Sequence, residues 1–311
     1  MSLLTAAGSI TELIGKTPLL RIRLFEREFP GLEVYAKAEW FNPGGSVKDR
    51  AALAMIDDGE RRGALTAEKE IIDSTSGNTG IAYAMVAAAK GYRVTLVMPA
   101  NVSDERKQLV TAYGAQVVYS DGMEGSDGAI RLVRKMIAEQ PDRYFYPDQY
   151  NNPANPLAHY QGTGAEILEQ TGGRIGLFVA GLGTTGTFTG TARRLKEHDP
   201  RIRTIAVQPD DAFHGLEGLK HLPTAIVPGI WDAGLADDVW GAPTEPAYEL
   251  ARALAREEGL LVGHSCGAAL WAVRELGRQG AAGIVVTIFP DGGDRYLSTG
   301  LYRFGRPAVR K

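Results

Sequence analysis

The chain has 311 residues, with 34 lysines and arginines against 37 aspartates and glutamates, so its formal net charge is −3. This balance argues against a nucleic-acid or membrane-surface partner, because such proteins carry a strong basic excess or patch. No apolar run approaches the ~20 residues of a membrane-spanning helix. The start of the chain lacks the basic residues of a signal peptide. One cysteine, Cys266, excludes a disulfide framework. We therefore expect a cytoplasmic protein.

Short β-branched runs alternate with amphipathic stretches along the chain. The predicted strands are Glu33–Trp40, Glu70–Asp73, Arg93–Met98, Gln116–Tyr119, Leu177–Ala180, Thr204–Gln208 and Ile284–Phe289. The predicted helices are Val47–Arg62, Ile81–Lys90, Asp104–Tyr113, Gly128–Glu139, Ala165–Gln170, Thr187–Glu197, Pro246–Glu258 and Ala268–Arg278. This alternation predicts an α/β protein with mostly parallel sheets, in which ligands bind at the carboxyl ends of strands.

Two polar stretches interrupt the alternation. Pro147–Pro156 is rich in Asn and Pro, and we interpret it as an irregular crossing between two domains. Pro209–Trp231 has little periodicity. At ~20 residues it is long for a plain connection, and loops of this length are usually lids or binding loops.

The segment 42–50 (NPGGSVKDR) turns the chain out of a strand that we expect to end at Trp40. Ser46 is placed to cap the next helix, with Asp49 three residues later closing a capping box. Lys48 then falls in the first helical turn, where the helix dipole disfavours a cation. A lowered pKa for Lys48 would suit Schiff-base chemistry, because that reaction needs the neutral amine. A solvated lysine beside Asp49 is the alternative.

The segment 74–80 (STSGNTG) follows one predicted strand and precedes a predicted helix. Its hydroxyls and backbone amides would meet at a helix N-terminus, which is an anion site by geometry. It contains no lysine, so it is not a P-loop, and a carboxylate suits it better than a polyphosphate. An over-provided helix cap is the alternative, although a cap needs only one hydroxyl.

The segment 181–187 (GLGTTGT) matches G-x-G-x-x-G between a strand and a helix. A nicotinamide site would need an acidic residue at the end of the next strand. That strand ends at Gln208, and Asp210 and Asp211 come too late. Three threonines in the loop favour a single phosphate group held by hydroxyls and amides. The motif therefore indicates phosphate rather than NAD.

The segment 263–267 (GHSCG) matches the G-x-S-x-G nucleophile elbow of hydrolases. The triad order of that fold needs a histidine after the serine, and none of the five histidines follows Ser265. Ser265 then remains as a neutral hydroxyl at another helix N-terminus. We interpret Cys266 as a packed side chain, since no base can be assigned to it.

Together the four loops supply an amine, a carboxylate site, a monophosphate site and a neutral hydroxyl, all at strand-to-helix turns. Pyridoxal 5′-phosphate carries an aldehyde and one phosphate, and its amino-acid substrates carry a carboxylate. The combination favours this cofactor. No spacing typical of metal ligands is found, so no metal is expected.

With these loops, the chain resembles the cysteine synthase (O-acetylserine sulfhydrylase) family, most of all its B-type isozyme, over nearly its whole length. The shared motifs are GKTPL (15–19), PGGSVKDR (43–50), STSGNTG (74–80), DQYNNPANP (148–156), GLGTTGT (181–187), GHSCGA (263–268) and GDRYLSTG (293–300). The resemblance implies fold type II of the pyridoxal-phosphate enzymes, with two three-layer α/β domains and the cofactor in the cleft between them.

The resemblance also implies how the chain is divided and what it binds. Residues 36–155 would form a smaller mobile domain, and 1–35 with 156–311 a larger one. A homodimer is expected, with an amino acid and a sulfur donor as small-molecule substrates. We expect no nucleic acid, no membrane and no complex with serine acetyltransferase.

Roles for individual residues follow from the same resemblance. Lys48 would bind the cofactor aldehyde and later take the substrate Cα proton, Asn78 would hydrogen-bond the ring hydroxyl, and Ser265 would face the pyridine nitrogen. The phosphate would be held by Gly183, Thr184, Thr185, Gly186 and Thr187. The substrate carboxylate would be bound by Thr75, Ser76, Thr79 and Gln149.

The activity implied is β-replacement, in which O-acetyl-L-serine and sulfide give L-cysteine through an α-aminoacrylate intermediate. A neutral serine at the pyridine nitrogen makes the ring a weaker electron sink, which suits β-elimination. B-type relatives also take thiosulfate, giving S-sulfocysteine, and often carry two adjacent arginines where this chain has Lys220 and His221. Lys220 keeps one cation there as a candidate substrate contact. One cation at this position is compatible with either thiosulfate or O-phosphoserine as a substrate.

Other activities remain as alternatives on the same scaffold. They are an O-phosphoserine-dependent cysteine synthase, a serine/threonine dehydratase and a cystathionine β-synthase. A non-catalytic binding protein of this fold is a further alternative. Intact Lys48, Asn78 and Ser265 argue against it, because a pure binder does not need the lysine.

Overall fold

The computed structural model describes residues 6–75, 77–102 and 104–302. Its strands are β1 (Leu19–Ile22), β2 (Leu32–Ala38), β3 (Glu70–Ser74), β4 (Arg93–Pro99), β5 (Gln116–Ser120), β6 (Tyr144–Phe145), β7 (Leu177–Gly181), β8 (Arg203–Pro209), β9 (Asp238–Ala242) and β10 (Gly283–Phe289). Its helices are α1 (Lys48–Arg61), α2 (Asn78–Lys90), α3 (Asp104–Ala112), α4 (Gly125–Glu139), α5 (Ala154–Ala158), α6 (Ala165–Thr171), α7 (Gly186–His198), α8 (Thr244–Glu258) and α9 (His264–Arg278). A π-helical turn, His159–Gly164, joins α5 to α6.

The strands form two sheets. The larger has the order β1-β2-β10-β7-β8-β9, and the smaller has the order β5-β4-β3-β6. All neighbours pair in parallel except β1 and β2, which are antiparallel. The α/β fold with mostly parallel sheets is confirmed.

Helices cover both faces of each sheet, which explains the apolar character of the central strands. In β10, Val285 and Phe289 pack into the core formed with α8 and α9, whereas Val286 and Ile288 pack into the core formed with α6 and α7. In the smaller sheet, the neighbouring residues of β3 divide in the same way, between a core with α1 and α2 and a core with α4. Period-two alternation thus builds a three-layer unit around each sheet.

The seven predicted strands are confirmed to within two residues at each end. The expectation that Trp40 ends a strand is wrong, because β2 ends at Ala38 and Glu39–Phe41 forms a 3₁₀ turn. The Asn42 side chain closes this turn by donating to the carbonyl of Glu39 at 2.8 Å. Strands β1, β6 and β9 and helix α5 were not predicted, since all are five residues or shorter and carry little periodicity.

Candidate active site

A cavity of 470 Å³ lies where the carboxyl ends of the two sheets face each other. It is lined by residues of all four loops selected from the sequence, among them Lys48, Asn78, Thr185 and Ser265. Ligands of doubly wound sheets bind at this edge, outside the ends of the strands. The structure therefore brings the predicted site residues together from positions more than 200 residues apart in the chain.

Lys48 is the first residue of α1, as expected. The turn is held by Val47, whose amide donates to the carbonyl of Pro290 at 2.8 Å, and by Ser46, whose hydroxyl accepts from the Lys48 amide at 3.2 Å. Burial lowers the pKa of Lys48, while Asp291 and Glu39 oppose the shift. Within the described ranges its ammonium group has no hydrogen-bond or ion-pair partner. Lys48 is therefore a desolvated amine available to a ligand.

The capping box expected at this helix is wrong. The side chain of Asp49 does not return to the amide of Ser46, because its Oδ2 accepts from the amide of Gly44 at 2.6 Å. Burial raises the pKa of Asp49 to about 7 despite this hydrogen bond. The carboxyl group of Asp49 thus stabilises the Gly-rich turn and does not cap the helix.

The loop before α2 has the polar groups of an anion site. The hydroxyl of Thr75 accepts from the amide of Gly80 at 3.2 Å, which places it against the first turn of the helix. The hydroxyl of Ser74 is buried without a hydrogen-bond partner. Ser76, which was also assigned to this site, lies outside the described residues. Free hydroxyls at a helix N-terminus favour a bound carboxylate.

Gln149 contacts this loop from the crossing segment Pro147–Pro156. It is buried, and its Oε1 accepts from the hydroxyl of Thr79 at 2.9 Å. Its Nε2 lies 3.5 Å from Oδ2 of Asp73, whose pKa is raised to about 7 by burial. The crossing segment thus places the buried side-chain amide of Gln149 beside the end of β3.

The loop between β7 and α7 lines the cavity with glycines and threonines. Thr185 adopts the left-handed conformation (φ 71°), and its buried hydroxyl has no partner. Thr184 is fixed by Asn155, whose Nδ2 donates to its hydroxyl at 3.2 Å. A Cβ on Gly183 would lie 2.5 Å from the carbonyl oxygen of Gly218, so only glycine fits there. The helix begins at Gly186, and backbone amides at a helix N-terminus have the geometry that suits an anion.

His159 contacts the first turn of α7, next to this loop, and sequence reasoning did not identify it as a site residue. Its Nε2 lies 3.2 Å from the hydroxyl of Thr187, and its Nδ1 lies 2.9 Å from the hydroxyl of Thr163. Burial lowers the pKa of His159 well below the usual value, and the charges of Arg50 and Lys48 act in the same direction. A neutral imidazole therefore orients the Thr187 hydroxyl at the cavity wall.

Ser265 lies in the first turn of α9 and lines the cavity, as expected. The neighbouring Cys266 is fully buried, with its Sγ 3.7 Å from the carbonyl oxygen of Asp291. Burial raises the pKa of the Cys266 thiol well above its usual value. Cys266 is thus a packed thiol and not a nucleophile.

Asp291 is a second site residue that sequence reasoning missed, although it lies two residues before the first glycine of the shared GDRYLSTG motif. Asn78 donates to its Oδ2 at 2.5 Å, and the Tyr296 hydroxyl donates to the same oxygen. Its Oδ1 is buried without a partner. Burial raises the pKa of Asp291, opposed by the hydrogen bonds from Tyr296 and Asn78. The site thus holds a carboxyl group close to Lys48.

The segment Pro209–Trp231 contributes residues to the wall of the cavity. Its Lys220 lines the cavity and lies 4.8 Å from the ring centroid of Tyr150. Burial lowers the pKa of Lys220, while Asp127 opposes the shift. Arg106 of α3 pairs with Glu217 of the same segment. The segment therefore contacts both the crossing segment and helix α3.

Comparisons with known proteins identify the family. The family model described as "Pyridoxal-phosphate dependent enzyme" matches residues 10–291. Cysteine synthase of Aquifex aeolicus is 52% identical over 303 residues, covering 96% of this chain and 93% of that protein. The chain belongs to the cysteine synthase family of pyridoxal-phosphate-dependent enzymes. Cysteine synthase B of Escherichia coli is 42% identical, covering 95% and 96%. The crystal structure of cysteine synthase from Entamoeba histolytica superimposes with a TM-score of 0.92 at 36% identity, covering 99% and 96%.

Membership of this family confirms pyridoxal 5′-phosphate as the cofactor and fold type II as the architecture. The residues fit the group, because an unpartnered amine and an unpartnered buried threonine hydroxyl face one cavity beside a helix N-terminus. In the described part of the chain, no group of three or more His, Cys, Asp or Glu residues is placed to hold a metal ion. No helix among these residues is long and apolar enough to cross a bilayer.

Proposed function

We propose that the chain is a transferase that makes L-cysteine by replacing the acetate of O-acetyl-L-serine with sulfide. The observation that carries this proposal is that one cavity is lined by Lys48, by the loop before α2 and by the loop before α7. One loop suits the phosphate of the cofactor and the other the carboxylate of an amino acid. Lys48 lines the same cavity, so its amine can reach the aldehyde of the cofactor and the Cα proton of the amino acid.

The loop at 183–187 would hold the cofactor phosphate, and Lys48 its aldehyde. Asn78 would bind the ring hydroxyl and Ser265 the pyridine nitrogen. Pyridoxal phosphate supplies an electron sink for the bonds at the substrate Cα. A serine hydroxyl is neutral, so it does not hold a protonated pyridine as a carboxylate would, and it leaves that sink weak. A weak sink suits loss of a good leaving group from Cβ.

The substrate carboxylate would be bound by Thr75, Thr79 and Gln149, together with Ser76. The bond between Thr79 and Gln149 keeps the amide of Gln149 turned with its nitrogen away from Thr79. Binding at the N-terminus of α2 would orient the amino acid so that its Cα faces Lys48. Two fixed anionic groups leave the reacting carbon little freedom, which is the source of much enzymatic rate acceleration.

Lys48 would then move the Cα proton. Burial lowers its pKa, so a larger fraction of the amine is neutral near pH 7 than for a solvated lysine. Asp291 limits that shift through its negative charge. The same amine would return the proton to Cα after the sulfur nucleophile has added at Cβ.

Lys220 supports a second candidate substrate class, in which an anion such as thiosulfate or the phosphate of O-phosphoserine enters. It is a half-buried cation at the cavity wall, and its charge is not matched by a carboxylate within salt-bridge distance in the described residues. One cation without the bidentate geometry of arginine would bind such anions moderately. Sulfide would remain the main donor.

We further propose a cytoplasmic homodimer with a mobile smaller domain at 39–155, which begins three residues later than the range expected from the sequence. Strands β3, β4, β5 and β6 all fall within this range. Strand β2 continues to Ala38 and pairs with β10 along its length, so we place the boundary after this strand. Serine acetyltransferase is not proposed as a partner.

The test is the visible absorbance of the protein loaded with pyridoxal phosphate, before and after O-acetyl-L-serine. We expect a yellow protein whose absorbance shifts with the substrate and returns when sulfide is added. Lys48→Ala should remain folded and lose turnover, whereas Lys135→Ala, an exposed lysine of α4, should behave as the parent chain. An unchanged rate in Lys48→Ala would refute the role of Lys48. A protein that does not take up the cofactor would refute the proposed activity.

A further inference from the structure

Arg50 lies in α1, two residues after Lys48, and its guanidinium is buried. Nε and Nη2 donate to the two carboxylate oxygens of Glu39 at 2.7 and 3.0 Å. Nη1 and Nη2 donate to the two oxygens of Glu166 at 2.6 and 2.8 Å. Arg50 therefore binds two carboxylates, each in a bidentate manner, which is a geometry that lysine does not provide.

Two further residues complete this group. Nζ of Lys37, on β2, is fully buried and lies 2.6 Å from Oε2 of Glu166. The hydroxyl of Thr17 donates to Oε1 of Glu39 at 2.7 Å and accepts from Nη2 of Arg50 at 3.1 Å. Burial alone would raise the pKa of Glu166, but the hydrogen bonds from Arg50 and Lys37 bring it down to about 2. We call these five residues the Arg50 network; its two cations balance two carboxylates.

The backbone around the Arg50 network is shaped to admit the guanidinium. A Cβ on Gly162, in the π-helical turn, would lie 2.9 Å from Nη1 of Arg50. A Cβ on Gly15 would lie 3.1 Å from the same atom, and Gly15 has a φ of +93°. The GKTPL motif thus lines the network, with the amide of Lys16 donating to Glu166 at 3.0 Å. None of these contacts is used by the chemistry proposed above.

The Arg50 network joins the two sheets at the helix that carries Lys48. Lys37 and Glu39 belong to β2 and the turn that follows it, and Glu166 belongs to α6. Further along α1, Met55 and Ile56 pack into the core of the smaller sheet. The network therefore fixes the first turn of α1 to the larger sheet, while the rest of the helix belongs to the smaller one.

A buried ion network is weak evidence for stability, because removing its charges from water costs about as much as their attraction returns. Such a network instead fixes the relative positions of its side chains, because every buried donor and acceptor must be satisfied at the same time. The position of the first turn of α1 determines where the amine of Lys48 lies.

We propose that Arg50 is a positioning residue for Lys48. By binding Glu39 and Glu166 together, it holds the first turn of α1 where the amine faces the cavity. This inference rests on the proposed function only in that Lys48 is the reacting amine.

The experiment measures Lys48 directly in the cofactor-free protein. One readout is the rate at which a small amine-reactive anhydride labels Lys48 at several pH values, determined by mass spectrometry. The other is the rate at which Lys48 captures pyridoxal phosphate, followed by absorbance. In Arg50→Lys we expect capture to slow about 10- to 100-fold, since misplacement by about 1 Å can cost 100-fold. We also expect the pH midpoint of labelling to move.

The matched control is Glu70→Gln. Glu70 is also a buried carboxylate bonded to an arginine, Arg143 at 3.1 Å, but it lies at the start of β3, at the opposite end of that strand from the cavity. The melting temperature of Glu70→Gln is compared with that of Arg50→Lys, so that a general loss of stability can be recognised. We expect Glu70→Gln to leave both Lys48 readouts unchanged.

Equal labelling and capture in Arg50→Lys and the parent chain would overturn the inference, as would equal changes in Glu70→Gln. If Arg50→Lys does not fold, Thr17→Val decides, because it removes one hydroxyl from the Arg50 network and should change both readouts in the same direction by a smaller factor. An unchanged Thr17→Val would then overturn the inference. Failure of the parent chain to capture pyridoxal phosphate would instead refute the proposed function, since labelling of Lys48 does not depend on it.

Discussion

Nδ2 of Asn78 lies 2.5 Å from Oδ2 of Asp291, which joins the first turn of α2 to the loop after β10. Arg295 donates to the other end of the same amide, with Nη1 2.5 Å from Oδ1 of Asn78. The amide is therefore oriented by a carboxyl group on one side and a guanidinium on the other. A ligand that binds Asn78 has to compete with these two neighbours or accept their orientation.

Asp291→Asn should shift the pH dependence of pyridoxal-phosphate capture by Lys48 to lower pH. The negative charge of Asp291 raises the pKa of Lys48 against the effect of burial, so its removal should lower that pKa further. We expect the capture of pyridoxal phosphate to reach its plateau at a lower pH than in the parent chain. Absorbance measured over a pH series checks this. Asp294→Asn, at an exposed neighbouring position, is the control, and a midpoint that does not move in Asp291→Asn would contradict the prediction.

Lys220→Met should discriminate between sulfur donors. Methionine is unbranched like lysine but removes the cation at the cavity wall, and with it the cation–π contact with Tyr150. We expect kcat/KM for thiosulfate to fall about tenfold, equivalent to ~1.4 kcal/mol, with little change for sulfide. Parallel assays with the two donors measure the ratio, and His221→Gln, at the neighbouring half-buried position, provides the comparison. A loss of equal size with both donors would show that Lys220 supports the segment rather than the anion.

Gly186→Ala should weaken binding of the cofactor phosphate. A Cβ at this position would lie 2.0 Å from Oδ1 of Asn155. Asn155 would have to move, and it binds both the hydroxyl of Thr184 and the carbonyl of Gln149. Overpacking of this kind costs about 1–3 kcal/mol, so we expect the Kd for pyridoxal phosphate to rise tenfold or more. Titration of the cofactor-free protein measures it, and Gly300→Ala, where a Cβ meets open space, should bind normally.

Asp73→Asn should flatten the pH dependence of stability. Burial raises the pKa of Asp73 from 3.8 to about 7, so the folded state holds its proton more tightly than the unfolded state. The resulting stabilisation is complete below pH ~4 and is lost as the pH rises through about 7. Urea unfolding at pH 4 to 8 should show a smaller fall in the free energy of unfolding for Asp73→Asn than for the parent chain. Asp142→Asn, at an exposed position, should retain the full fall.

Sequence reasoning located the four loops because each depends on local signals. The 74–80 segment and the 183–187 loop each lie between a strand and a helix, and Lys48 and Ser265 lie in the first turns of α1 and α9. Glycines and hydroxyls mark all four places in the sequence. The parallel fold then places such turns at one edge, so their convergence could be inferred without knowing the strand order.

The residues that sequence reasoning missed depend on distant partners. Asp291 acquires its environment from Asn78, 213 positions away, and Arg50 from Glu166, 116 positions away. No local pattern distinguishes such a carboxylate from a solvated one. His159 was missed for the same reason, because its partner Thr187 lies 28 positions later, beyond α6 and β7. Short strands such as β6, with two residues, have too little sequence to show a period.

The order of strands in the larger sheet has a consequence for synthesis of the chain. Strand β2 pairs with β1 on one edge, but its other neighbour is β10, about 250 residues later, with Val34 opposite Val285. At roughly 5–20 residues per second, a ribosome needs between about 10 and 50 s to reach β10 after β2 has emerged. The smaller sheet, built from contiguous sequence, can fold during that interval. The β1–β2 hairpin must wait with one edge unpaired, so the larger sheet and the site at its end form only as translation finishes.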